Sequence, residues 1–135
     1  MASVLKVNTL TGVTTAGSIV VTGEGNSTTT NLQQGLGKCW LQMSGFGSMS
    51  IGDSFNTTGI TDNGTGNYTV TIANDMGNTF YSVSAVDFRD GTSGGNRDIQ
   101  CVYNILVGAF SMTSVYDASV ANDSATMFQV MGDLA

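Results

Sequence analysis

The side chains that most often do chemistry are scarce in this chain, and one type is missing altogether. There is no histidine, which removes the usual general base near neutral pH, the Ser-His and Cys-His nucleophile pairs and the commonest metal ligand. Glu24 is the single glutamate, so a catalytic carboxylate pair would have to be two aspartates. Asp87 with Asp90, or Asp90 with Asp98, has the chemistry to flank a glycosidic bond. These aspartates belong to a glycine-rich polar loop, where such a residue ordinarily serves an exposed turn. The expectation is a protein that is not an enzyme and needs no cofactor.

Metal chemistry fares no better. Cys39 and Cys101, the only cysteines, cannot make a standard structural zinc site without histidine. They lie in the apolar runs KCWLQM and IQCVYNIL, and read as two buried, reduced thiols or as the one possible intrachain disulfide. Asp62, Asn63 and Asn67 offer oxygens to a calcium ion, but their spacing misses the EF-hand pattern and an Asx turn fits them better. Gly-x-Gly at 23/25, 35/37, 45/47 and 64/66 never opens a helix after a strand with the third glycine in place. Asn-x-Ser/Thr at Asn26, Asn56, Asn63, Asn67 and Asn122 reads as polar turns and strand edges. The start MASVLKVNTL lacks the features of a secretory leader.

Charge narrows the partners. Lys6, Lys38, Arg89 and Arg97 stand against ten acidic residues, for a net charge of −6. A phosphate backbone requires several cationic contacts, so nucleic acid is not an expected partner. No apolar run is long enough to span a bilayer as a helix, so membrane insertion is not expected. Phe88, Arg89 and Arg97, around the loop 87–98, make a candidate receptor-contact loop. The alternative is that both arginines pair with Asp87, Asp90 or Asp98 on a solvated turn.

The elements that must position these residues are strands. With no proline and 18 glycines, the chain alternates short strand-forming runs with turn clusters. The runs are 4–10, 18–22, 38–43, 68–73, 80–86, 98–106, 110–116 and 126–132. The turn clusters include TDNGTGN (61–67), ANDMGN (73–78), RDGTSGGNR (89–97) and DASVANDS (117–124). Tyr68, Val70 and Ile72 share one strand face, as do Tyr81, Val83 and Ala85, and Phe128 and Val130. In 98–106, Cys101, Tyr103 and Ile105 lie opposite Val102 and Leu106, which predicts a strand buried on both sides. TNLQQGL (30–36) predicts one helical turn, capped by Thr30 or Asn31 and ended by a left-handed Gly35.

Composition divides the chain into an arm, 1–36, and a head, 37–135. Every aromatic residue follows Leu36, and residues 1–30 carry only two charges, Lys6 and Glu24. An arm this thin cannot bury Val4, Val7, Ile19 and Val21 against itself. It calls for another chain, another copy or a platform. The alternative is a self-contained domain whose first strands join its own sheet.

Three stretches carry a resemblance: LKVNTLTGVTTAGSIVVTGEGNSTTTNLQQGLGKCW (5–40), DSFNTTGITDNGTGNYTVTIANDMGNTFY (53–81) and the terminal GDLA (132–135). In them the chain resembles short fibre-like, receptor-binding-like virion proteins of marine and freshwater tailed bacteriophages; the region 82–131 resembles nothing in detail. The resemblance implies an all-β homotrimer on the virion surface, on the tail or the head exterior. Its extended N-terminal β arm or stem would precede an antiparallel, jelly-roll-like β-sandwich head. Val4, Leu5, Val7, Leu10, Ile19 and Val21 would then face the trimer axis. Implied partners are copies of itself, other tail or capsid proteins, and a host cell-surface glycan or protein. Two functions follow: host attachment as a short fibre or spike, or capsid decoration with the arm lying on the shell. A free-standing carbohydrate-binding module or depolymerase is a third, weaker class.

Overall fold

The computed structural model describes residues 4–12, 19–23, 28–88, 97–116 and 120–134, without the side chains at 88, 97–101, 116 and 120. The chain is all-β with antiparallel sheets and divides into two compact units, Met1–Leu36 and Gly37–Ala135.

In the first unit, β1 (Val20–Thr22) pairs with β2 (Thr29–Asn31) as a two-stranded ribbon. One helical turn follows, α1 (Leu32–Gly35), capped by Asn31, whose Oδ1 accepts from the Gln34 N–H at 3.0 Å. The turn does not end on a left-handed Gly35; Leu36 takes the C-cap position with extended backbone. The expected strand over 4–10 is also absent, since residues 4–12 form none. A strand is stabilised by the ladder it joins, and no described residue pairs with this segment.

Among the described residues, the second unit holds nine strands: β3 (Cys39–Ser44), β4 (Ser50–Phe55), β5 (Thr57–Asp62), β6 (Asn67–Ile72), β7 (Ser82–Phe88), β8 (Arg97–Leu106), β9 (Ala109–Tyr116), β10 (Val120–Ala121) and β11 (Ala125–Met131). One sheet runs β4-β3-β11-β7. In the other, β9 is flanked by β8 on one edge and by β6, then β5, on the other. Ser114 donates its N–H to the Gly66 carbonyl and accepts from the Asn122 N–H, so the short β10 continues the β6 side of β9.

The inner faces meet in one core. Cys39, Leu41, Met43, Phe128 and Val130 come from the first sheet; Tyr68, Val70, Ile72, Phe110 and Met112 come from the second. Phe110 packs edge-on to Phe128, with ring centroids 5.1 Å apart and planes at 90°. The period-two reading therefore places the core of β6 and β11 where the structure has it, with Tyr81, Val83 and Ala85 leading into β7 on the same inner side. It fails in β8. Asn104, at φ 49°, lies within a register shift between Tyr103 and Leu106, which turns Val102 and Ile105 toward the same core despite their odd spacing. Tyr103 and Leu106 are exposed, so β8 is not buried on both sides.

The registers give this unit two ends. Cys39, Phe55, Thr57, Ile72, Ser82, Leu106, Ala109 and Met131 mark the near end, where the chain enters. Ser44, Ser50, Asp62, Asn67, Phe88, Arg97, Tyr116 and Ala125 mark the far end. At the near end, the sheets are joined by Asn56, whose φ of 54° is a left-handed conformation asparagine tolerates. Its side-chain amide donates to the Lys38 and Asn74 carbonyls and accepts from the Asn74 N–H at 2.8 Å.

Candidate functional site

The arm comes first, because most of its apolar side chains are uncovered. Val4 is 73% exposed and Leu5 79%, while Val7, Leu10, Val20 and Val21 are each exposed by half or more. Ile19 is half-buried, its carbonyl taken by the Leu32 N–H. No described residue of this unit is buried. Two three-residue strands are marginal by themselves, and here they lack even an aromatic to pack upon.

The far end of the head is built in the opposite way. Asp87, near the end of β7, accepts from three hydroxyls: Ser114 at 2.5 Å, Ser124 at 3.0 Å and Thr126 at 2.7 Å. Ser114, Ser124 and Thr126 are themselves buried. Since Ser114 belongs to β9 and Thr126 to β11, this carboxylate ties the two sheets together. Beside it, the Tyr68 hydroxyl donates to Asp123 at 3.1 Å and accepts from the Ser124 N–H at 3.4 Å. Burial chiefly, with the Asp123 carboxylate adding to it, raises the Tyr68 pKa well above that of a free phenol. A Cβ on Gly45 would fall 2.1 Å from that hydroxyl, so only glycine lets β3 turn here. A Cβ on Gly66 (φ 69°) would fall 2.6 Å from the Ser114 carbonyl oxygen.

This corrects the reading of Asp87 as an exposed turn residue: it is half-buried and held by hydroxyls. The period-two pattern carried the signal, since Asp87 is in phase with Val83 and Ala85, and so points inward. Asp62 does form an Asx turn, accepting from the Gly64 N–H at 2.8 Å. Arg89 and Asp90 lie outside the described residues, as do the side chains of Phe88, Arg97 and Asp98. The backbones of Phe88 and Arg97 both stand at the far end, on different sheets.

A second surface escaped the sequence reading. On the outer face of β4-β3-β11-β7, Trp40, Gln42, Ser84, Val86, Met127 and Gln129 line a shallow groove of about 390 Å³. The registers set Trp40, Gln129 and Ser84 in one row across the strands, and Gln42, Met127 and Val86 in the next. Phe55 and Asp53 extend these rows onto β4. Alternation placed these residues outside, but cross-strand register alone brings them together.

At the near end, Cys39 is a free, buried thiol 3.1 Å from the Thr57 hydroxyl, and burial raises its pKa. Among the described residues, no helix is long and apolar enough to cross a membrane. Comparison with protein-family models, curated proteins and solved structures found no match.

Proposed function

We propose that this protein is a bacteriophage virion component: a short homotrimeric fibre or spike on the virion surface, displaying a β-sandwich head for attachment to the host. The observation that carries the reading is the uncovered apolar arm. Six aliphatic side chains, Val4, Leu5, Val7, Leu10, Val20 and Val21, stand half or more in water. Covering what they leave exposed contributes roughly 1 kcal/mol apiece, repeated in every chain. Association of three arms, with Ile19 completing the stripe, supplies that cover. It also gives residues 4–12 a partner with which to pair.

The head fits the display half of the reading. Its chain entry is at the near end, and the flanks of the candidate receptor loop, Phe88 and Arg97, are at the far end. The Asp87 brace stiffens the sheet ends beneath that loop, and loops on a stiff scaffold commonly carry recognition. The likeness of stretches 5–40, 53–81 and 132–135 to short phage fibre proteins supports the virion setting and the jelly-roll-like description of the head.

Sedimentation equilibrium of the full chain at micromolar concentration tests the assembly. A trimer is expected, and a monomer would overturn it. Gel densitometry of purified particles tests the setting, with a handful of trimers expected per virion. Hundreds of chains per particle would replace attachment with capsid decoration, the arm lying on the shell.

A further inference from the structure

We infer that the outer face of the β4-β3-β11-β7 sheet is a binding site for a short, neutral glycan, with Trp40 as its stacking platform. The inference rests on the host-attachment reading and gives it a ligand class at a surface away from the 87–98 loop. Trp40 is 40% exposed in a groove whose other walls are Met127 and Val86. Around this apolar floor stand the Gln42 and Gln129 amides and the Ser84 hydroxyl. Among the described residues, none of these three side chains, nor the Trp40 indole N–H, has a hydrogen-bond partner. An aromatic ring with free amides beside it matches a sugar, which offers an apolar C–H face rimmed by hydroxyls.

Charge selects the kind of sugar. The two rows across the face hold no cation, and their one charged residue is Asp53. An anionic saccharide, a nucleic acid or an acidic peptide would find only repulsion there. Size argues against a second copy of the head as the occupant. Four strands of six or seven residues span a footprint of only about 20 by 20 Å, a small platform for an interface that buries roughly 800 Å² of accessible surface per partner. The groove volume instead falls within the roughly 300–1,000 Å³ range of small-ligand sites.

Trp40 is the only tryptophan in the chain, so its fluorescence reports on this groove alone. The full-length protein is titrated with neutral tetrasaccharides of glucose, galactose, mannose and N-acetylglucosamine, with tetragalacturonate as the anionic control. At least one neutral sugar should give a saturable change, and tetragalacturonate none. By calorimetry, Trp40→Ala should weaken that sugar about tenfold or more, and Gln129→Ala about threefold. Phe80→Ala, at an exposed residue of the near end, should leave it unchanged. The assignment is overturned by silence across the panel, by an equal response to tetragalacturonate, or by binding that survives Trp40→Ala. It is also overturned if the fluorescence changes on dilution without sugar, the mark of self-association through this face. Whole-cell adsorption separates the two readings: cells bound equally by Trp40→Ala would sink the groove and leave host attachment standing. Sugar binding without cell binding would do the reverse.

Discussion

The two units use the same secondary structure and reach opposite states of burial. Gly37–Ala135 encloses Tyr68, Phe110, Leu41, Met43 and Met112 between two sheets, whereas Met1–Leu36 has no buried residue among those described. Strand propensity is common to both, since the valines and threonines of β1 and β2 are as β-prone as the Thr-Val-Thr at the centre of β6. What separates them is bulk: each head sheet contributes an aromatic side chain to the middle, and the arm has none to contribute. A ribbon of valines and threonines can form, but it cannot become a domain without company.

The sharpest way to break this contrast is to charge the arm. Leu5→Asp with Val7→Asp should convert the proposed trimer to monomers by sedimentation, while the urea midpoint of the head stays unchanged. A joint loss of both would mean that the two units share a core. The mirror experiment empties the head: Phe110→Ala removes a ring in edge contact with both Tyr81 and Phe128. It should cost about 3–5 kcal/mol in urea denaturation. A smaller test bears on the far-end brace, where Thr126→Val takes one of three donors from Asp87. About 1–2 kcal/mol of stability should go, with sedimentation unaltered.

The mildest test is pH. Burial, with Cys39 adding to it, pushes the Tyr81 pKa up to about 12, against about 10 for an unfolded tyrosine. The folded state therefore holds a proton that the unfolded chain releases. Stability from this group is complete below about pH 10 and is lost as pH rises toward 12. Tyr68 shifts in the same direction. The urea midpoint should fall over that window, and Tyr81→Phe should flatten the fall.

Much of the head was legible because β3, β6, β9 and β11 alternate cleanly or carry dense apolar runs. Three head strands went unread: β10, two residues long, lies inside the turn cluster 117–124, while β4 and β5 include Gly52 and Gly59 and are the outermost strands of their sheets, so little selects for an apolar period there. β8 misled because Asn104 breaks its period, a backbone event that composition does not announce. The arm stripe Val4, Leu5, Val7, Leu10 and Val21 was legible as apolar. Its strand over 4–10 was not realised, because pairing depends on a partner strand and none of the described residues supplies one. The Trp40 groove was the least legible feature. It assembles from residues nearly 90 positions apart, which only the pairings of β3 with β11 and β11 with β7 bring side by side.

Entry and exit of the head share an end. The Lys38 N–H donates to the Val130 carbonyl, and Leu134 bridges to Met76 beside the Val107 turn. A peptide or fluorophore fused behind Leu134 would thus emerge at the same end of the head as Lys38. Cargo meant to face outward belongs instead in the opposite turns, such as 63–65 between β5 and β6. There it can be lengthened or exchanged without disturbing the root of the molecule.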